Sequence, residues 1–377
     1  MSFEAIRDQD AVIGFLCKAW AGGRLPHALL FAGQRGVGKT MTAQALAMLK
    51  FCRRPDPAAA APCGTCEDCR AVAAGTHPDL VQLLNAPLEP HIRIGDLDDD
   101  CPIPPEDLDR LHRPLYVREL LFALQRSSSR GGGKFVLVQN AEKLHIAAAN
   151  ALLKAVEEPP PGTLFVLTTE DLEQVIGTIV SRCQVVRFGA VRAATIAELL
   201  VDGQGVLAAE AARAAGVAQG SVTRAREIID HKILKMRDWL YGKLQAPGAW
   251  DIPALTAALI HQAPGLVHGF DAGGEPLRVE TSTKHPAREG VREFLAMMLE
   301  HCRDLSLRAQ GLTPEVYCFE GNRTAAATGL PSAEALDASA SAIMDAMQAI
   351  DRNVNFEMVL DGVLARLNTQ LQGVPHL

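Results

Sequence analysis

Eight residues constrain this chain more than any others. Gly33-Gln34-Arg35-Gly36-Val37-Gly38-Lys39-Thr40 match G-x-x-x-x-G-K-[ST], with the apolar run Ala28-Leu29-Leu30-Phe31 before them and a helix-forming run from Met41 to Phe51 after them. Strand, glycine-rich turn and helix in that order commit the segment to an α/β domain. Gly33, Gly36 and Gly38 let the backbone turn tightly and aim N–H groups at phosphate oxygens, and the helix presents its positive end to the same anion. Lys39 is placed to neutralise β- and γ-phosphates, and the Thr40 hydroxyl to ligate Mg²⁺. These eight residues are therefore the expected site for ATP with Mg²⁺. A look-alike, Ser127-Ser128-Ser129-Arg130-Gly131-Gly132-Gly133-Lys134, has no Ser or Thr after its lysine and leads into a strand. It is expected to be a mobile connecting loop.

At 377 residues the chain exceeds one ordinary domain, so two or three are expected. No stretch reaches about 18 uninterrupted apolar residues, and Met1-Ser2-Phe3-Glu4-Ala5 has neither a basic cap nor an apolar signal core. A soluble, cytoplasmic protein with no membrane segment follows. The formal charge of −7 argues against general attraction to nucleic acid or anionic membrane, so any DNA contact must be local or shared with partners. Aromatics are only 5%, and alanine and leucine dominate, which favours helix outside the nucleotide domain.

A cytosolic chain does not use nine cysteines as a disulfide framework. Cys63-Gly64-Thr65-Cys66-Glu67-Asp68-Cys69 offers three thiolates, and Cys52, closing the helix after the phosphate loop, can supply the fourth. Four sulfurs complete tetrahedral Zn²⁺ and leave no open position, so the expected metal is a structural zinc. An iron–sulfur cluster is the competing reading, but the bacterial run with a fourth cysteine three residues on and then proline is absent. Metal-free thiols are the third. Cys17, Cys101, Cys183, Cys302 and Cys318 are scattered and read as small buried apolar residues.

From about Ala28 to Phe188 the pattern alternates strand and helix, implying a parallel sheet covered on both faces. Expected strands are Ala28–Phe31, Leu80–Leu84, Phe135–Gln139, Leu164–Thr169 and Gln184–Phe188. Expected helices are Lys39–Phe51, Leu115–Arg126, Ala147–Glu157 and, more briefly, Leu172–Ile179, the third stopped by Pro159-Pro160-Pro161. Between Asn85 and Pro114 lies a proline-rich insert bearing Asp96, Asp98, Asp99, Asp100, Glu106, Asp107 and Asp109. It lacks EF-hand spacing and reads as a solvated surface loop. Ala190 to Asp230 reads as a small helical domain with turns at Gly203-Gln204-Gly205, Gly216 and Gly220. His231 to Leu377 is helical again, broken by a glycine-rich loop around Gly269–Gly274. Its periodic positions Ile343, Met347, Ile350, Val354, Met358, Val363 and Leu367 read as bundle core.

Four segments carry a family resemblance: Leu25-Pro26-His27-Ala28-Leu29-Leu30-Phe31 running into the phosphate loop, and the four-cysteine insert. The third is Ala148-Ala149-Asn150-Ala151-Leu152-Leu153-Lys154 with Glu157-Glu158-Pro159-Pro160, and the fourth is Thr178-Ile179-Val180-Ser181-Arg182-Cys183-Gln184. In this order the chain resembles, over essentially its whole length, the clamp-loader subunits of bacterial DNA polymerase III, members of the AAA+ superfamily. The resemblance implies three parts: an AAA+ nucleotide-binding domain over 1–189, with a four-cysteine zinc module at 52–69 and the acidic insert at 85–114; a helical lid domain over 190–230; and an all-α collar over 231–377. The motor subunits of the family, gamma/tau, carry an Asp-Glu pair at the end of the third strand, the Asp for Mg²⁺ and the Glu to polarise water. Here Gln139 and Asn140 hold those places, and Glu142 is the only nearby acid. The likeness is thus to the delta-prime type, which binds ATP without hydrolysing it efficiently and shows little or no turnover in isolation. The alternative is a gamma/tau-like motor that uses Glu142.

The resemblance also assigns residue roles. Arg182 of the Ser-Arg-Cys motif would reach the γ-phosphate held by a neighbouring protomer, as an arginine finger in trans; a surface arginine capping a helix end is the plain reading. Thr169, at the end of its strand, sits at the family's sensor position, or is simply a strand terminus. A second sensor arginine is expected near a Gly-Ser turn; in Gly220-Ser221-Val222-Thr223-Arg224, Thr223 stands at that place and Arg224 is off by one. The implied partners are gamma/tau and delta subunits in a hetero-oligomeric ring, and through it the sliding clamp and primed DNA, in DNA replication.

Overall fold

Five short apolar runs become five parallel strands: Ala28–Ala32 (β1), Leu80–Leu83 (β2), Phe135–Val138 (β3), Leu164–Thr169 (β4) and Gln184–Arg187 (β5). The computed structural model describes residues 3–56, 60–83, 117–244, 250–271, 274–277, 285–313, 330–352 and 354–371. The acidic insert at 85–114, Cys101 and Cys318 lie outside the described residues. β1 to β4 are buried along their whole length, as continuous apolar runs must be when helices cover both faces of a parallel sheet. β5, at one edge, is mostly exposed.

The strand order is β2-β3-β4-β1-β5. Register aligns the carboxyl ends: Ala32 pairs with Thr169 of β4 and with Arg187 of β5, and Val138 of β3 pairs with Leu167. The residues that follow these strands, Gly33, Gln139, Glu170 and Phe188, therefore emerge along one edge, where parallel α/β sheets bind ligands.

Helices follow the strands. Asp10–Ala21 (α1) precedes β1, Lys39–Phe51 (α2) follows the phosphate loop, and Glu67–Ala73 (α3) lies in the cysteine insert. Val117–Gln125 (α4) and Ile146–Glu157 (α5) pack on one another and on the sheet face that carries Leu30, Val136, Val138, Phe165 and Leu167. α5 starts one residue before the expected position because His145 Nδ1 caps it, accepting the N–H of Ala147.

Two local expectations fail for physical reasons. The helix expected over Leu172–Ile179 is only Gly177–Val180 (α6). Asp171 folds the residues after it into a turn, its Oδ1 accepting the Glu173 N–H and its Oδ2 the Gln174 side chain, both at 2.9 Å. The run Ser127–Lys134 is not a mobile loop at its start. Buried Asp79, at the foot of β2, accepts from Ser129 N–H at 2.8 Å, Arg130 N–H at 3.1 Å and Ser128 Oγ at 3.0 Å.

The chain divides into two compact units, Met1–Thr195 and Ile196–Leu377. The division falls inside Ala193–Gln204 (α7). In the second unit Ala208–Val217 (α8), Val222–Asp230 (α9) and Ile233–Leu244 (α10) pack in succession. Ile252–His268 (α11), His285–Ala309 (α12), Ala333–Asp351 (α13) and Phe356–Gln370 (α14) form a bundle in which α14 also returns to α11. Gly203 and Gly216 lie inside α7 and α8 rather than at turns. In the last two helices Ile343, Ile350, Val363 and Leu367 are buried, but Val354 and Met358 are exposed and Leu360 and Leu364 are buried instead. The break between Asp351 and Phe356 resets the helical phase, so one period cannot run through both.

Candidate functional site

The phosphate loop closes because two of its glycines are obligatory. A Cβ on Gly33 would come to 2.7 Å from the Phe188 carbonyl oxygen, so the loop can lie against the end of β5 only without a side chain there. Gly38 caps α2 at φ +100°, a backbone angle that other residues reach only with strain. The positive end of α2, roughly half a charge, then faces the loop. Val37 is buried, Gln34 and Arg35 are exposed, and Thr40 is half-buried.

Lys39 is buried, and its ammonium donates to the loop's own carbonyls, Gly33 and, at 2.8 Å, Gln34. Burial lowers its pKa below the ordinary lysine value, and Glu170 and Glu142 oppose that shift. Two acids thus bear electrostatically on the lysine from the ends of β4 and β3. Glu142 sits in the turn Ala141–Lys143, and its Oε2 is buried with no hydrogen-bond partner among the described residues. Glu170, exposed one residue past β4, belongs to no motif of the sequence. Its place just after a strand end is the signal that could have found it.

Gln139 and Asn140 follow β3 directly, both half-buried; the Asn140 N–H donates to Thr168 Oγ1 at 3.4 Å. Thr169 is fully buried. Its hydroxyl donates to the Asp171 carbonyl at 2.8 Å and accepts the Asp171 N–H at 3.2 Å, while its own carbonyl accepts the Gly33 N–H at 3.2 Å. It joins β4 to the phosphate loop through the backbone.

Arg182 lies in the turn between α6 and β5. Its Nε donates to Glu157, and one terminal nitrogen donates to the Thr178 carbonyl at 3.0 Å and Ser181 Oγ at 3.3 Å. The side chain keeps 37% of its surface exposed. In the second unit, the Ser221 hydroxyl caps α9 through the Arg224 N–H at 3.1 Å, and the Arg224 guanidinium is taken up by Glu293 and Glu227.

The four cysteines of the insert converge. The sulfurs of Cys52, Cys63, Cys66 and Cys69 all lie within 4.8 Å of one another. Tetrahedral zinc with Zn–S near 2.3 Å needs sulfur pairs about 3.8 Å apart, which this cluster approaches. Backbone N–H groups point at the sulfurs as they would at thiolates: Cys63 N–H to Cys52 at 3.2 Å, Cys66 N–H to Cys63 and Cys69 N–H to Cys66 at 3.4 Å. The N–H groups of Thr65 and Cys66 hold the Cys63 thiol down to about 5. Burial raises the Cys66 thiol, but the N–H groups of Arg53 and Cys69 outweigh it and leave the group below the ordinary thiol range. Burial raises Cys52 and Cys69. Bound zinc would remove those last two protons and hold the insert together without taking part in chemistry.

Around the cysteines runs a charged frame. Buried Asp68 accepts from Arg53 Nε at 2.6 Å and from Arg130, while Glu67 takes the same two arginines at 2.8 and 3.0 Å. His77 Nδ1 accepts the Asp79 N–H at 3.1 Å, which puts the neutral ring's proton on Nε2, 3.4 Å from Asp68. Burial keeps His77 below the ordinary histidine pKa. Arg130 thereby ties the insert to the loop that starts β3.

No described helix is long and apolar enough to cross a membrane. Residues 8–192 match the family model described as DNA polymerase III, delta subunit. The chain is similar to the DNA polymerase III subunit delta' of Pseudomonas aeruginosa, 37% identical over 164 residues, 43% of each protein. It is also similar to the subunit tau of Escherichia coli, 33% identical over 182 residues, 48% of this chain and 24% of that one. The chain thus spans less than half the length of these two curated relatives. Among solved structures, a gamma-subunit-related protein of DNA polymerase III from Thermotoga maritima covers 95% of this chain and 100% of its own, with a TM-score of 0.41 and 15% identity. The segment matched by the family model, residues 8–192, holds the phosphate loop, the cysteine cluster and Arg182, and through it this chain is similar to the DNA polymerase III delta-subunit family.

Proposed function

We propose that this chain is a delta-prime-like clamp-loader subunit, which holds ATP at Gly33–Thr40 without efficient hydrolysis and supplies Arg182 to the nucleotide of a neighbouring subunit. The observation that carries this reading is the end of β3. Gln139 and Asn140 stand one strand away from β4 and two from the phosphate loop, where a motor needs carboxylates for Mg²⁺ and water. Amides carry no charge for either task. In the same reading Thr169 senses the γ-phosphate, zinc staples 52–69, residues 190–230 act as lid and 231–377 as collar. The partners are gamma/tau and delta subunits in a ring that loads the sliding clamp on primed DNA in the cytoplasm.

A second reading, a gamma/tau-like motor, is favoured by one feature: the buried Glu142 carboxylate oxygen, which has no hydrogen-bond partner among the described residues and whose charge bears on Lys39. One experiment decides between them. The purified chain is expected to bind ATP with Mg²⁺, to lose that binding in Lys39→Ala, and to show no turnover above background. Robust hydrolysis that disappears in Glu142→Gln would establish the motor reading instead, and no binding at all would leave the loop without a nucleotide role.

A further inference from the structure

We propose that Glu157 is the positioning residue for Arg182. The inference rests on the reading of Arg182 as a finger and adds the residue that aims it. A guanidinium has five N–H donors in a rigid plane. In Arg182 three acceptors hold two of the three nitrogens: Glu157 Oε1 on Nε, and the Thr178 carbonyl and Ser181 Oγ on the nitrogen NH1. The other terminal nitrogen, NH2, has no hydrogen-bond partner among the described residues. The structure therefore fixes the plane through two nitrogens and leaves the third with both its N–H groups for an anion outside the chain.

The origins of the three acceptors support this. Thr178 and Ser181 are local, in α6 and just after it, and alone would let the side chain swing about its stem. Glu157 comes from the last position of α5, 25 residues away, and anchors the side chain to a helix that packs on α4 and the sheet. Glu157 and Arg182 keep 42% and 37% of their side-chain surface exposed, so the pair adds little to folding stability. Its value lies in orientation: a long side chain that loses its freedom before it meets the phosphate need not lose it on contact.

The test uses the full chain assembled with gamma/tau and delta subunits and reads steady-state ATP turnover. Glu157→Gln keeps the shape and removes the charge. It is expected to lower kcat about tenfold with KM for ATP and the melting temperature of this chain unchanged. Glu157→Asp, which keeps the charge on a shorter arm, should recover part of the loss. In an Arg182→Ala background, Glu157→Gln should do nothing further. If Arg182→Ala lowers kcat but Glu157→Gln leaves it at the wild-type level, the positioning role is wrong and the finger stands. An equal loss from Glu157→Gln with and without Arg182 would also overturn it, and a wild-type kcat in Arg182→Ala would remove both.

Discussion

Asp8 stands at φ +58°, a left-handed angle that aspartate and asparagine tolerate better than most residues. Its carboxylate accepts three hydrogen bonds from Arg192: backbone N–H and Nε at 2.9 Å, and a terminal nitrogen at 2.6 Å. Beside it, the Gln9 amide exchanges two hydrogen bonds with the Gly189 backbone, at 2.8 and 3.2 Å. The Arg192 guanidinium pulls the Asp8 carboxyl from 3.8 to about 2, against the opposing effect of burial. Because the folded pKa lies below the unfolded one, the stabilisation is complete above roughly pH 4 and is lost as pH falls toward about 2. Asp8→Asn keeps the backbone conformation and removes the charge. It should cost about 1 kcal/mol at neutral pH, since Arg192 is largely exposed, and the gap to wild type should close on acidification, as measured by urea denaturation across pH. At this scale the loop's glycines were legible, because Gly33 answers to a close approach of backbone and Gly38 to a positive φ. The acids bearing on Lys39 were not, since they come from the ends of two other strands and depend on strand order.

The elements were legible wherever one pattern met one environment. β1 to β4 read as apolar runs because both faces are covered, and α2 read from Lys39 to Phe51 because a glycine cap and a cysteine bound it. Reading failed where an element's shape is set by a distant partner. The start of Ser127–Lys134 owes its order to Asp79, about 50 positions earlier, and nothing in its glycines and serines announces that. Removal of that carboxylate by Asp79→Ala takes the acceptor from two backbone N–H groups and a hydroxyl in a partly buried loop. It should destabilise the first unit by about 3 kcal/mol, read by chemical denaturation, with Asp79→Asn losing less. The last two helices failed differently: each is amphipathic, but the break between Asp351 and Phe356 shifts the stripe, so exposed Met358 had the spacing of a core residue.

For the whole molecule, the sequence separated strand-rich from helical halves because hydrophobic period changes after Phe188. Each of the two units has its own buried core. The phosphate loop and the cysteine cluster both belong to the first. Calorimetry of the full chain should therefore show two transitions, and a zinc chelator should lower only one of them, by several degrees. A chelator that moved both equally would show that the units unfold as one. Within the first unit, α2 begins at the phosphate loop and ends against Cys52. Its 13 residues span about 20 Å with neither proline nor glycine to bend them, so it works as a stiff rod. A tilt imposed at the end that bears Lys39 would appear as displaced sulfur at the other, so zinc held by the four cysteines would act as an anchor bolt for the helix behind the loop.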